Sequence, residues 1–75
     1  MQTAEPRGTI VEIRRRQQRG TIQGDDGRIH HFDREGMIRW LEYDELKPGD
    51  RVSFDFETSG TAYNVERIGR APVGR

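Results

Sequence analysis

Short runs of alternating apolar and polar residues, separated by turn residues, make up most of this chain. The clearest alternation runs from Arg51 to Glu57, where Val52, Phe54 and Phe56 share one face and charged or polar residues share the other. Shorter apolar runs predict four further strands, over residues 9–14, 19–23, 28–32 and 62–68. The expected core anchors are Ile10, Ile22, Phe54, Phe56, Ala62, Val65 and Ile68, and the three-residue spacing of the last two predicts a bulge or strand end near Glu66.

Turn residues mark the ends of these runs. Residues 15–18 form a polar segment that predicts the first turn. Gly24-Asp25-Asp26-Gly27 is typical of a hairpin turn, because Asp and Gly tolerate the positive φ that such turns require. Lys47-Pro48-Gly49-Asp50 and Thr58-Ser59-Gly60-Thr61 predict turns on either side of the alternating run.

One long connection interrupts the series of strands. Asp33 is expected to cap a short helical turn over residues 34–36, and residues 37–46 then lead to the fourth strand. A three-stranded meander, a long connection and a hairpin favour an all-β, small five-stranded antiparallel oligonucleotide-binding (OB-fold) barrel over an SH3-like barrel of similar length. We expect a flexible lead-in over residues 1–7, the barrel over 8–68 and a frayed C-terminus over 69–75.

Composition restricts the class of protein. Seventy-five residues, of which 31% are hydrophobic and 35% charged, indicate one domain with a small core. The absence of cysteine excludes disulfides and thiolate metal sites and fits a reducing cytoplasm. No apolar run approaches the roughly 20 residues of a membrane helix, and the N-terminus is too polar for a signal peptide. We therefore expect a cytoplasmic monomer with no membrane contact.

The charge is balanced in total but uneven along the chain. Thirteen basic and 13 acidic residues give a formal net charge of zero, which argues against very strong phosphate-driven binding. Arg14, Arg15, Arg16 and Arg19 nevertheless fall within six positions, while the middle of the chain is acidic. Two interpretations fit this arginine cluster: a solvated loop or a contact for a phosphate backbone.

Five segments share their order and spacing with one known family. Gly8-Thr9-Ile10 and Gly20-Thr21-Ile22 match its opening strand and its first ribonucleoprotein motif, and Arg28-Ile29-His30-His31-Phe32 matches its second. Residues 46–54 and 62–65 match its later Leu-x-x-Gly-x-x-Val-x-Phe and Ala-x-x-Val patterns. From Gly8 to Ile68 the chain thus resembles a cold-shock domain. The resemblance implies an OB barrel that binds single-stranded RNA or DNA and acts as an RNA chaperone.

The resemblance fails at the positions where the family stacks bases. Its exposed aromatic residues are replaced here by Glu12, Arg19, Thr21 and Ile29, and only His31 and Phe32 keep their types. Stacking contributes about 1–3 kcal/mol per base, so four lost platforms would remove most of the family's affinity. The guanidinium of Arg19 is flat and can both stack on a base and contact phosphate.

The candidate nucleic-acid-binding residues follow from this frame. We expect the arginines on phosphates, and His31, Phe32 and Trp40 stacked on bases. Phe32 could equally lie at the barrel rim, and Trp40 could equally cover the open barrel end. The candidates are Arg14, Arg15, Arg16, Arg19, Thr21, His30, His31, Phe32, Trp40 and Tyr43. The alternative function is a barrel that has lost nucleic-acid binding and contacts a protein partner with the altered face.

The adjacent histidines face opposite sides of a strand and are therefore unsuited to one shared metal ion. Alternation from a buried Ile29 would place His31 inside, whereas the family frame places His30 inside; we favour the family frame, since it also aligns Asp33 with a capping Ser. The chain has no cysteine nucleophile, and Ser53 and Ser59 lack a triad context. We expect no enzyme activity, no metal and no cofactor.

Overall fold

The computed structural model describes residues 6–70 and contains one antiparallel sheet of five strands. Two short 3₁₀ segments, Arg34–Gly36 and Trp40–Glu45, lie between the third and fourth strands. The strands are β1 (Arg7–Arg14), β2 (Arg19–Gly24), β3 (Ile29–Asp33), β4 (Arg51–Phe56) and β5 (Ala62–Gly69). The predicted all-β fold is confirmed, and the sheet extends one residue beyond the expected barrel at each end. The expected behaviour of residues 1–5 and 71–75 lies outside the described residues.

The strand order in the sheet is β3-β2-β1-β4-β5, and every neighbouring pair is antiparallel. This order is compatible with an OB-like barrel, but hydrogen bonding within residues 6–70 does not close the sheet. The two edges of the sheet are linked instead by individual contacts, each of which involves one residue just outside the strands. Met37 forms an isolated parallel bridge with Val65, where Ile38 N donates to Val65 O at 3.0 Å, and His30 Nδ1 lies 2.7 Å from Gly60 O. The expected full closure is therefore replaced by an open roll whose edges approach each other.

The predicted turns and the predicted cap are confirmed. In the β2–β3 hairpin, Gly27 N donates to Gly24 O at 2.9 Å, and Gly27 has φ +91°, a conformation that glycine adopts without steric cost. Before β4, Lys47 N donates to Asp50 Oδ2 at 3.0 Å, and Asp50 N donates to Lys47 O at the same distance. These local hydrogen bonds set the register of the strands that the turns connect.

Asp33 caps the first 3₁₀ segment as the sequence predicts, and its Oδ1 accepts the Gly36 N–H at 3.0 Å. This bond ends β3 and turns the chain toward the connection. Within the described residues no helix is long and apolar enough to cross a lipid bilayer.

Ten hydrophobic residues form the core inside the roll. Five of the seven expected anchors are among them. Phe56 and Ile68 are exposed, which corrects the prediction. Phe56 ends β4 at the rim, and the register between β4 and β5 shifts beside Ile68, so inward alternation is lost there. The core residues are Ile10, Ile22, Phe32, Met37, Tyr43, Leu46, Val52, Phe54, Ala62 and Val65.

Candidate nucleic-acid interface

The outer face of β1, β2 and β3 carries a groove of about 260 Å³. The strand registers create it: Thr21 pairs with His31 on one side and with Glu12 on the other, and Arg19 pairs with Arg14. Paired positions in neighbouring strands project to the same face, so these side chains lie together. The groove is lined by Glu12, Arg14, Arg19, Gly20, Thr21 and His31.

His31 is the exposed histidine and stands on the groove. Its Nδ1 lies 3.2 Å from Thr21 Oγ1, a contact across the β2–β3 ladder that orients the imidazole ring. One face of an aromatic ring is thus held at the surface, as base stacking requires. The second motif therefore keeps one exposed aromatic ring, that of His31, at the position where the family frame places it.

His30 is buried, which confirms the choice of the family frame over strict alternation from Ile29. It is 3% exposed, and its ring centroid lies 5.0 Å from that of Phe54 and 4.8 Å from that of Phe56. Since its ring is enclosed and its Nδ1 is bonded to Gly60 O, His30 does not belong to the groove. The prediction that His30 belongs to the binding face is therefore corrected.

The arginine cluster divides into paired and unpaired side chains. Arg14 Nε forms a surface ion pair with Glu12 Oε2 at 3.2 Å. Arg15 donates to the carbonyl oxygens of Tyr43 (2.8 Å) and Leu46, and its guanidinium carbon lies 5.5 Å from the centroid of the Tyr43 ring. Arg15 therefore fastens the β1–β2 loop to the connection, a structural role that the sequence did not predict.

Arg16 and Arg19 remain available to a ligand. Neither guanidinium forms an ion pair or a side-chain hydrogen bond with any other residue in the range 6–70. Both side chains are exposed, and Arg19 lines the groove. Because the Arg14–Glu12 pair is neutral overall, Arg19 gives the groove a net positive charge.

Phe32 and Tyr43 lie in the core, which corrects their expected place on the binding face. They are 2% and 1% exposed, and their ring centroids are 6.4 Å apart in an edge-to-face arrangement. A small domain needs such large side chains to fill its interior. Phe32 supports the groove from below, since a Cβ placed on Gly20 would lie only 2.5 Å from Phe32 Cζ.

Trp40 is 59% exposed and therefore does not cover the end of the roll. It also does not line the groove. Ile38 and Leu41, which are close to Trp40 in sequence, are exposed as well. Trp40 thus remains accessible but lies outside the group formed by Arg19, Thr21 and His31.

A second cleft of about 240 Å³ lies on the other side of Arg19. The sequence predicted Asp33 only as a cap and did not predict any role for Gln17 or Gln18. Asp33 lies opposite Arg19 because of the β2–β3 register, which the Gly24–Gly27 turn sets. Counting residues outward from that turn in the sequence could therefore have predicted this pairing. The cleft is lined by Gln17, Gln18, Arg19, Asp33, Arg34 and Glu35.

Comparison with known families found no family model that matches the chain. The search of curated proteins likewise found no match. The cold-shock resemblance thus rests on the five segments quoted above, and the fold described here is compatible with it.

Proposed function

We propose that this chain binds single-stranded RNA or DNA weakly, across the outer face of β1, β2 and β3. One observation carries the proposal: Arg19 and His31, both planar and exposed, project into the same groove. A planar guanidinium and a planar imidazole each accept a stacked base, and the Arg19 charge also attracts phosphate. The binding is weak because two such groups replace the larger aromatic platform of a cold-shock domain.

The charge arrangement predicts a shallow salt dependence. For single strands, the slope of log K against log salt is about −0.7 per phosphate neutralised. Arg16 and Arg19 are the unpaired members of the arginine cluster, so about two phosphates are contacted and the slope is about −1.4. A generic polycation would give a much steeper slope.

A second candidate function is contact with a protein partner, and one observation favours it. Ile38, Trp40 and Leu41 are exposed apolar side chains that lie close together in sequence on the connection, and none of them lines the groove. Aromatic and aliphatic side chains of this kind anchor protein interfaces. In the first function a nucleic acid binds the groove, and in the second a protein binds residues 38–41. A titration that maps the residues in contact with an oligonucleotide therefore tests the first function against the second.

The test is a titration with short pyrimidine-rich and mixed oligonucleotides, followed by backbone amide shifts. The proposal expects shifts at residues 19–21 and 31 that weaken with salt. Shifts confined to residues 38–41, or no shifts at saturating oligonucleotide, would contradict it.

Variants separate stacking from charge. Arg19→Ala should weaken binding by about 1 kcal/mol, roughly fivefold, and Arg19→Lys should recover only the charge-dependent part. Arg70→Ala is the matched control, because it removes one exposed arginine just after β5. Equal losses for Arg19→Ala and Arg70→Ala would show that net charge alone governs binding.

A further inference from the structure

The second cleft, between the β1–β2 loop and the end of β3, holds an unused pair of opposite charges. Arg19 and Asp33 are paired positions in the β2–β3 ladder, so their side chains project to the same face. Both line the cleft, yet no ion pair among the described residues joins them. Arg34, the other cation of the cleft, is already bound to Asp44 at 3.1 Å. The cleft therefore presents the free guanidinium of Arg19 and two carboxylates without an ion-pair partner in the range 6–70, Asp33 and Glu35, of which only Asp33 lies opposite Arg19 in the ladder.

The Asp33 carboxylate is held in place by the backbone. Its Oδ1 accepts the Gly36 N–H at 3.0 Å, which fixes the side-chain rotamer while leaving further lone pairs on both oxygens. An ionised carboxylate can accept about four hydrogen bonds in all. Asp33 is exposed, so its remaining acceptor positions are open to a ligand in the cleft.

We infer that this cleft selects guanine from a single strand lying in the neighbouring groove, an inference that rests on the proposed function. Guanine is the one common base with two adjacent N–H donors, N1–H and N2–H₂, on its Watson–Crick edge, and a carboxylate can accept both. Its O6 and N7 acceptors suit a guanidinium donor such as that of Arg19. Adenine N1, cytosine N3 and the two uracil carbonyls would instead bring lone pairs against the Asp33 carboxylate.

The continuity of the two sites supports this assignment. Arg19 lines both the groove and the cleft, so a strand held in the groove passes the cleft entrance. The amides of Gln17 and Gln18 also line the cleft and can serve as donor or acceptor. Base selection and backbone binding thus share one side chain, Arg19, whereas Asp33 acts only in selection.

The experiment compares four oligouridylates of about seven nucleotides whose central base is U, A, C or G, each titrated into the full chain. A bidentate base contact discriminates by about fivefold or more, so the G-containing strand should bind at least that much more tightly. Asp33→Asn keeps a good N-cap residue but replaces one acceptor oxygen with a donor, and should bring the G-to-U affinity ratio close to one. Glu57→Gln is the control, because it removes the same charge outside the cleft.

The outcomes are separable. If the wild-type chain binds all four strands equally, the guanine inference is wrong while the proposed function stands. If none of the four strands binds, the proposed function fails and the inference with it. If Glu57→Gln lowers the G-to-U affinity ratio as much as Asp33→Asn does, the preference depends on net charge alone and the inference is overturned. Loss in Glu35→Gln without loss in Asp33→Asn would overturn the role of Asp33.

Discussion

The hydroxyl of Tyr43 joins the segment between β3 and β4 to the β1–β2 hairpin. Removing this hydroxyl tests that link directly. Its ring is 1% exposed, and its oxygen lies 2.8 Å from Arg19 O and 3.1 Å from Arg14 O. Tyr43→Phe keeps the ring in the core and deletes only the donor. The two carbonyls, at the end of β1 and the start of β2, then lose their partner from the connection.

The expected cost follows from the burial of this contact. A typical hydrogen bond contributes about 0.5–1.5 kcal/mol, and leaving a buried acceptor unpaired costs about 1–3 kcal/mol. Since the contact is partly buried, we expect a loss of about 1–2 kcal/mol in the free energy of unfolding. A domain of this size is stable by about 4–11 kcal/mol, so the loss is a substantial share.

Urea unfolding followed by circular dichroism measures the effect. With a slope of about 1 kcal/mol/M, the midpoint should fall by about 1–2 M. Tyr63→Phe is the matched control: Tyr63 is 41% exposed, and its hydroxyl has no hydrogen-bond partner in the described part of the chain. If both variants unfold at the same midpoint, the Tyr43 hydroxyl does not hold the hairpin, and the reasoning is refuted.

Two further changes, and the pH dependence of Tyr43→Phe, are tested by the same unfolding measurement. Gly20→Ala places a Cβ 2.5 Å from Phe32 Cζ and should lower stability by about 1–3 kcal/mol through overpacking. The hydrogen bonds from Arg51, both 2.7 Å long, lower the pKa of Asp25 below 3.8, so their stabilisation is present above that pH and is lost as the pH falls through the folded-state pKa. Asp25→Asn should therefore flatten the acid limb of the stability profile. Burial raises the pKa of Tyr43 above 10.0, so its contribution is fully present below that pH and is lost as the pH rises through the folded-state pKa; Tyr43→Phe should flatten the alkaline limb.

Each of these expectations has a contrary result. A Gly20→Ala midpoint equal to that of the wild type would mean that Phe32 can move away without cost. An unchanged acid limb in Asp25→Asn would show that the pair with Arg51 does not form in solution. An alkaline limb that persists in Tyr43→Phe would assign it to another group.

The strands and turns could be predicted because their determinants are local. Alternation with a period of two identified β4, and Asp-Gly and Pro-Gly pairs identified the turns before β3 and β4. The Asp33 cap was equally local, since donor and acceptor are three residues apart. In each case the residue types within one segment decide its conformation.

The corrected residues depend on contacts between distant segments. Arg15 looked like its neighbours in the cluster, but its partner Tyr43 lies 28 residues away along the chain. The cold-shock resemblance placed Phe32 and Tyr43 among the base-binding candidates, with Phe32 equally expected at the barrel rim, whereas the core buries both rings. The bulge predicted near Glu66 is present, but Ile68 was expected inside because the pattern did not reveal a second register shift between Arg67 and Gly69. Arg19, Thr21 and His31, by contrast, were candidates from the cold-shock frame, and the β2–β3 register brings them into one groove.

The four ladders of the sheet set the spacing of neighbouring strands, but they do not set the distance between β3 and β5. Contacts outside the ladders help to set it: Met37 bridges to Val65 from the start of the connection, and His30 Nδ1 lies 2.7 Å from Gly60 O. Insertions or deletions between β3 and Met37 would therefore change the distance between β3 and β5, while every ladder keeps its register. In this architecture we expect the distance between the two edge strands to follow the length of one irregular segment rather than the strand registers.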